Sequence, residues 1–300
     1  MSNLRILSLN TALLSFLFDM VEYGLGDNNA RAKLIGDKIL NLPLEYQPDI
    51  ILLQETFDGA AARIIKQIIK DVYPHFIRDN RSASFFVGVA SGLSIASKYP
   101  IQDLTIEDYK CVAGIDAMTR KGIMSFYIKY NNLCIKICNT HLQAGVKQRW
   151  YYSLLMNIKG VKADSKIPLN KLTSDQVRVF QLAQAEHYLQ NKNYDIILFI
   201  GDFNNDAYSD LQFEDPRVGH DNLITKNKLF SYIWNKTVDT YDGPNNEPSE
   251  WVKPKRIDYA LQIQNNTNYQ ITSNIIPDQF TYPNMTDHKG IVCNINFNLV

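Results

Sequence analysis

Apolar residues along this chain gather into short strand-like runs that alternate with segments of helical period. Arg5 to Asn10 reads as a strand, Asn29 to Leu40 as a helix that Asn28 or Asn29 can cap, and Ile50 to Gln54 as a second strand, which makes a βαβ opening. Pro43 and Pro48 punctuate the exit from that helix. Ala60 to Val72 sets Ile64, Ile65, Ile68, Ile69 and Val72 on one helical face before Pro74 ends it, and such a stripe reads as core. The middle of the chain is richer in strands: Phe85 to Ala90, Leu93 to Ser97, Leu104 to Lys110, Ile123 to Tyr130 and Leu133 to Asn139, the last two joined by an Asn131-Asn132 hairpin turn. A helix from Asp175 to Gln190 and a strand from Asp195 to Ile200 follow. Beyond a polar, Pro-containing stretch from Asn204 to Glu250, strands at Ile257 to Ile263 and Ile291 to Phe297 close the pattern. No internal period, low-complexity tract or linker divides it, so one domain is expected over residues 1–300.

The chemistry sits where these strands end. Ile196 to Ile200 is apolar throughout, as a strand covered on both faces would be, and Gly201 is expected to turn the chain sharply before Asp202, Asn204, Asn205 and Asp206. Asp202 and Asn204, two apart, point to one side if the backbone stays extended, and offer a carboxylate beside an amide. Alone, this segment reads equally well as a polar turn after a core strand. The same ending recurs: Asn10 after the first strand, Gln54-Glu55, Asn139-Thr140-His141, Asp258, and Thr286-Asp287-His288 before the last strand. Repeated acid, amide and imidazole ends suggest one shared site at a sheet rim, where ligands sit in α/β folds. Glu55, Asn10 and Asp287 would supply hard oxygen donors, suited to Mg2+ or Mn2+ and poor for zinc. His141 and His288 can stabilise a phosphoryl oxygen or move a proton near neutral pH. The plainer readings are a structural histidine in each case and, for Glu55, a carboxylate at a helix N-terminus.

Taken in order, "LSLNT" with Asn10, "ILLQETF" with Glu55, "NTHLQA" with His141, "GDFNND" with Asp202 and Asn204, "RIDYAL" with Asp258 and "TDH" at Asp287-His288 resemble the motifs of the endonuclease/exonuclease/phosphatase superfamily. The resemblance implies a DNase-I-like α/β fold: a four-layer α/β sandwich, two mixed β-sheets packed face to face with helices on the outer faces. It also implies metal-dependent cleavage of a phosphate ester. Between the motifs, "QETFDGAAARIIKQIIKDVYPHF", "SGLSIASKYPI", "RKGIMSFYIKY" and "VRVFQLAQAEHYL" are similar to the neutral sphingomyelinase branch of the bacterial sphingomyelinase C type. That likeness implies Mg2+-dependent hydrolysis of sphingomyelin or another choline phospholipid at a membrane surface, giving ceramide and phosphocholine. In such a site Glu55 would hold the ion with Asn10 nearby, and His288 would take the proton of the attacking water while Asp258 orients its ring. Asp202 and Asn204 would position water or phosphate, and His141 would stabilise charge on phosphorus. In the wider superfamily the residue matching Asp202 has also been assigned as the base. Lys121 would add positive charge near the phosphate, or is a solvated strand-end lysine.

Composition narrows the field. Lys plus Arg and Asp plus Glu both total 31, so no overall positive field exists to draw in nucleic acid, and a nuclease on the same scaffold is the second reading. A catalytically idle binding module fits less well, because all the candidate residues are present. An inositol-phosphate phosphatase fits less well because Lys255-Arg256-Ile257-Asp258 lacks a leading tryptophan. Nothing implies an obligate protein partner. Cys111, Cys134, Cys138 and Cys293 form no CxxC pair and are expected as buried free thiols. There is no run of about eighteen apolar residues, and Ala12 to Val21 is interrupted by Asp19 without a basic leader, pointing to a cytoplasmic chain or non-classical export. Little room separates Asp258 from Asp287 for a long aromatic-tipped membrane hairpin, of which Gln279 to Pro283 is the aromatic remnant. Leu13 to Val21 and Trp150 to Ile158 are apolar enough to dip into an interface instead, or equally to be amphipathic core helices.

Overall fold

Alternation with a period of two sorts the side chains of each strand between a facing sheet and an outer helix, and this sorting builds the protein. The computed structural model describes residues 3–14, 26–81, 90–145, 174–190, 193–205, 230–232, 240–241, 256–263, 270–276 and 285–297. Strand β1 (Asn3–Leu13), helix α1 (Asn28–Leu40) and strand β2 (Ile50–Thr56) form the βαβ opening, with β1 and β2 parallel. Helix α2 (Gly59–Ile69) and strands β3 (His75–Arg78) and β4 (Ser94–Ser97) follow. Then come β5 (Gln102–Asp108), β6 (Gly122–Tyr130), β7 (Leu133–His141), helix α3 (Ser174–Leu189) and β8 (Ile196–Asp202). The last described strands are β9 (Phe230–Tyr232), β10 (Asp258–Ile263), β11 (Gln270–Ile275) and β12 (Ile291–Asn296). One sheet has the order β11-β12-β1-β2-β4-β3 and the other β5-β6-β7-β8-β10-β9. Each contains one parallel pair near its centre, β1 with β2 and β7 with β8.

The inner faces meet through Leu4, Ile6, Ile50 and Leu52 on one sheet and Phe126, Ile135, Ile137, Leu198 and Ile200 on the other. The opposite phase of β1 and β2, Leu7, Leu9, Ile51 and Leu53, packs on α1 and α2 through Ala32, Ile35, Ile65 and Ile69. Outside the second sheet, Leu182, Ala185 and Leu189 of α3 cover Ile197 and Phe199. These are the four layers and two mixed sheets that the motifs imply. Ile65 and Ile69 of α2 are fully buried, and each such side chain contributes about 2–3 kcal/mol. Val72, assigned to the same stripe from sequence, lies past the helix end and is 43% exposed.

Local chemistry corrects several expectations. Asp27, not Asn28 or Asn29, caps α1, accepting from the Asn29 amide at 2.8 Å, while Asn28 donates to the Leu14 carbonyl at 2.6 Å. Asp58 caps α2, accepting from the amides of Ala60 and Ala61 at 2.7 and 3.1 Å, so the helix-terminal role weighed for Glu55 belongs to Asp58. The strand expected at Leu104 to Lys110 begins and ends two residues earlier, at Gln102–Asp108. The strand expected at Phe85 to Ala90 falls outside the described residues except for Ala90. Asn131 and Asn132 do make the β6-β7 turn, both with positive φ, 47° and 63°. Cys111, Cys138 and Cys293 are buried, Cys134 is half-buried, and all four thiols are free. Among the described residues no helix is long and apolar enough to cross a membrane.

Gly201 does not turn the chain. It lies within β8, opposite Thr140 of β7 and Tyr259 of β10, with φ of 151°. A Cβ there would sit 2.0 Å from the Thr140 carbonyl oxygen, so the glycine is required by the close approach of two backbones next to Asp202. Gly201→Ala should therefore lower unfolding free energy by about 2–4 kcal/mol in a urea titration. Gly145→Ala, whose added Cβ meets nothing within 4 Å, should change it by less than about 0.5 kcal/mol. Equal effects of the two substitutions would refute the close-approach argument.

Candidate active site

The inner faces end in polar residues because the same alternation runs on past the core. On β1 the inward phase Leu4, Ile6 continues to Ser8 and Asn10; on β2 it reaches Gln54; on β7, Asn139 and His141; on β8, Asp202. The first polar layer bolts the sheets together: Gln54 Nε2 donates to Asn139 Oδ1 at 2.7 Å and Ser8 Oγ at 3.1 Å, and Asn139 Nδ2 donates to the Leu53 and Ser94 carbonyls at 3.0 and 3.1 Å. One step nearer the rim, Asn10 Nδ2 crosses between the sheets to Asp202 Oδ2 at 2.9 Å, and Asn10 Oδ1 accepts from the Ala12 amide at 3.0 Å. Glu55 is out of phase, since strict alternation would aim it at the helices. Its φ of 52° breaks the alternation, and Oε1 lies 3.5 Å from His141 Nε2.

Around His141 the donors converge. Its Nε2 is 3.0 Å from Lys121 Nζ, 2.9 Å from Asn204 Nδ2 and 3.6 Å from Asp202 Oδ2. Lysine and a carboxamide nitrogen only donate, so Nε2 accepts and the ring proton sits on Nδ1, which is buried with no hydrogen bond among the described residues. Burial first, then the charges of Lys121 and His288, hold His141 well below the ordinary imidazole range, that is, neutral. Lys121 is not the solvated lysine weighed from sequence: it is 1% exposed, donates to the Leu142 carbonyl at 2.6 Å and pairs with Asp116 at 3.1 Å. Asn204 has φ of 50°, so the backbone from Asp202 is not extended as expected. The turn lets the Asn204 amide donate to Asp202 Oδ1 at 2.8 Å while its side chain reaches His141.

His288 forms the opposite wall. Its Nδ1 lies 2.9 Å from Asp258 Oδ2, its Nε2 faces Asp202 Oδ2 at 3.9 Å, and its ring stands 5.1 Å from that of Tyr241. Burial alone would depress this imidazole, yet Asp258, by charge and hydrogen bond, with Asp202 and Asp287, holds it well above its usual value. Asp202 is lifted to about 6, by burial and then by Asp258. Glu55 is lifted to about 7, by burial and then by the charge of Asp287.

The donor set fits a divalent cation. Glu55, Asp202, Asp258 and Asp287 crowd a rim where Lys121 is already paired with Asp116, and burial opposes the charging of Glu55 there. Ligand atoms of Glu55, His141 and Asp202 lie within 4.8 Å of one another, as do those of Asp202, Asp258 and His288. His141 Nε2 is occupied by two donors, which leaves the oxygens, and oxygen-rich sites suit hard cations. Of the three oxygen donors expected from sequence, Glu55 lies in the first of these clusters, Asp287 in neither, and Asn10 is engaged with Asp202 and Ala12 with a remaining lone pair on Oδ1.

Two residues of the site escape the sequence reading. Asp116, in the 3-10 turn Gly114–Met118, neutralises Lys121 and accepts from the Ala144 amide at 2.7 Å. Its one signal is an acid inside the apolar stretch from Cys111 to Ala117. Thr240 ties the His288 wall together: Oγ1 accepts from the amides of Ile257 and Asp258 at 3.0 and 3.1 Å, and its carbonyl accepts from the Lys289 amide at 2.8 Å. It lies in the polar stretch with no pattern to mark it. The interfacial candidates Leu13 to Val21, Trp150 to Ile158 and Gln279 to Pro283 lie outside the described residues, save Leu13, which is buried, and Leu14.

Residues 25–262 match the Endonuclease/Exonuclease/phosphatase family. Sphingomyelinase C of Bacillus cereus is 24% identical over 304 residues, covering 89% of this chain and 82% of that protein. The crystal structure of a Staphylococcus aureus beta toxin superposes with a TM-score of 0.70 at 19% identity, over 97% of this chain and 99% of that one. A beta toxin mutant with bound magnesium ions superposes with a TM-score of 0.68 at 20% identity, over the same shares of 97% and 99%. The shared architecture therefore runs through both sheets and the outer helices.

If the carboxylates form a cation site, adding a divalent ion should stabilise the protein. With Mg2+ as probe at about 100-fold over its dissociation constant, linkage gives about 2.7 kcal/mol, or roughly 5 °C in melting temperature for a chain of this size. Glu55→Gln should abolish most of that shift in a thermal melt at pH 8. An unshifted wild-type melt would contradict the assignment.

Proposed function

We propose, from the premise that this chain belongs to the endonuclease/exonuclease/phosphatase family and is a phosphoric diester hydrolase, that it is a Mg2+-dependent enzyme splitting sphingomyelin, or a closely related choline phospholipid, into ceramide and phosphocholine. The observation that carries this reading is the buried Asp258-His288 pair, whose second ring nitrogen faces Asp202 beside the carboxylate of Glu55. Glu55 with Asp287 and Asn10 would hold the cation. A cation held there would polarise the phosphoryl oxygen and stabilise the leaving alkoxide. In its unprotonated form, which the surrounding carboxylates shift to the alkaline side of the ordinary imidazole range, His288 Nε2 would accept the proton of the attacking water as the new P–O bond forms, while Asp258 fixes the ring and stabilises the imidazolium. The P–O bond to the ceramide oxygen breaks in line, and that oxygen is protonated by solvent.

The base assignment favours His288 over Asp202 on hydrogen-bond occupancy. Both oxygens of Asp202 already accept bonds, from Asn10 Nδ2 and the Asn204 amide, whereas His288 Nε2 makes no hydrogen bond to a described residue. Asp202 then orients water or phosphate. His141 is kept neutral with its proton on Nδ1, so Lys121 and Asn204, held beside its Nε2, would supply the donors to the phosphoryl oxygens as negative charge develops. A zwitterionic phosphocholine head group demands no basic surface, which agrees with the balance of 31 basic and 31 acidic residues. A substrate embedded in a bilayer requires peripheral contact with that surface.

Phosphocholine release from sphingomyelin vesicles and nicking of plasmid DNA, each with Mg2+, separate the two phosphodiester readings. Turnover of the vesicles without nicking is expected, and nicking without phosphocholine release would overturn the proposal. His288→Ala should lower kcat by about 10²–10⁴, the usual worth of a general base, with the circular dichroism spectrum unchanged. A near-normal rate would remove His288 from the mechanism.

A further inference from the structure

The strand ends that carry the oxygen donors are held from behind by two arginines that the mechanism does not use. Arg31, on α1, is 4% exposed. Its guanidinium donates to the Thr11 carbonyl at 2.6 Å, the Ala12 carbonyl at 2.9 Å and, through two nitrogens, the Met285 carbonyl at 3.0 and 2.9 Å. Thr11 and Ala12 follow Asn10 directly, and Met285 lies two residues before Asp287. Thr286 Oγ1 closes the arrangement by donating to the Asn10 carbonyl at 2.7 Å. One guanidinium therefore spans the segment of Asn10 and the segment of Asp287.

Arg78, on β3, does the same for the third segment. Its Nε and one terminal nitrogen donate to the carbonyls of Thr56 and Phe57, immediately after Glu55, at 2.9 and 2.7 Å. The amides of Phe57 and Asp58 both donate to the Leu13 carbonyl at 3.0 Å, so the Glu55 and Asn10 segments are also tied to each other. The backbone at these points does not lie in a broad minimum. Ala12 and Glu55 have φ of 47° and 52°, left-handed values that are strained for a non-glycine residue and persist only where surroundings over-determine them. Planar guanidinium groups, with several N–H donors in a fixed fork, can bridge successive carbonyls in a way that the point charge of a lysine cannot.

We propose that Arg31 and Arg78 are positioning residues for the cation site, setting the mutual spacing of Asn10, Glu55 and Asp287 by clamping the backbone carbonyls next to them. The proposal rests on the reading of those three residues as the oxygen donors. It explains why β1, β2 and the segment before His288 leave regular pairing together at one rim.

Calorimetric titration of Mg2+ into metal-free protein at 25 °C tests it, on wild type, Arg31→Lys, Arg78→Lys and the core variant Ile39→Ala, with folding followed by circular dichroism. Groups that orient a metal's ligands typically change its affinity by about 10–100-fold when replaced, so both lysine variants should bind Mg2+ at least about tenfold more weakly. Ile39→Ala, which removes a buried side chain of α1 without touching the clamped carbonyls, should melt at lower temperature and keep its Mg2+ affinity. A purely structural role for the arginines would give the Ile39→Ala result in all three. Lysine variants within about twofold of wild type overturn the proposal, and should Arg31→Lys fail to fold, half-buried Arg78→Lys decides it. A wild type that binds no Mg2+ overturns the proposal and the underlying site reading together, whereas intact wild-type binding with unaffected lysine variants overturns the proposal alone.

Discussion

The whole site depends on two parallel strand pairs, β1-β2 and β7-β8, meeting face to face in phase. Because both pairs end at the same rim, the inward phase of each delivers its last side chains into one small volume. The buried Gln54-Asn139 hydrogen bond, 2.7 Å long, fixes that phase across the gap. A slip of one residue in the first sheet would send Asn10 to the helix side and bring Leu7 and Leu9 inward, and one in the second would send His141 and Asp202 outward and bring Cys138 and Phe199 inward. An apolar face alone would not resist such a slip strongly, since isoleucine and leucine alternate on both sides of β1 and β2. A buried amide pair does, because breaking it leaves two polar groups unsatisfied, at about 1–3 kcal/mol each.

At the rim, stability and reactivity pull in opposite directions. Glu55, Asp202, Asp258 and Asp287 share a mostly buried site, and two of them are pushed up to about 7 and about 6 by burial and by each other. Left-handed backbone at Ala12, Glu55 and Asn204 adds local cost. The fold compensates around the site, through Arg31 and Arg78 on carbonyls, Asp116 on Lys121, and Thr240 on the strand that carries Asp258. A bound dication would offset the repulsion among these carboxylates, and the ion with Lys121 and Asn204 would then meet the negative charge of a phosphate.

Strand ends and their polar residues could be read from the sequence because they depend on local alternation and on an abrupt change from apolar to polar. The layers followed from the ordered motifs. What alternation cannot supply is backbone handedness: Glu55 and Asn204 reach the site only through positive φ, and Gly201 serves a close backbone approach instead of a turn. Short or edge strands such as β3, β9 and β11 also lack enough apolar residues to stand out. Asp116, Thr240, Arg31 and Arg78 act through single long-range hydrogen bonds or ion pairs, and no sequence period marks such contacts.

On the proposed mechanism the carboxylates of this rim hold a cation, with the phosphate between it and His288. Anomalous diffraction from crystals soaked with Mn2+ and phosphocholine tests that directly. A manganese peak at the Glu55 carboxylate, with phosphate density between it and His288 and within reach of His141, is the predicted result. Manganese seated away from Glu55, or phosphocholine bound remote from His288, would contradict it.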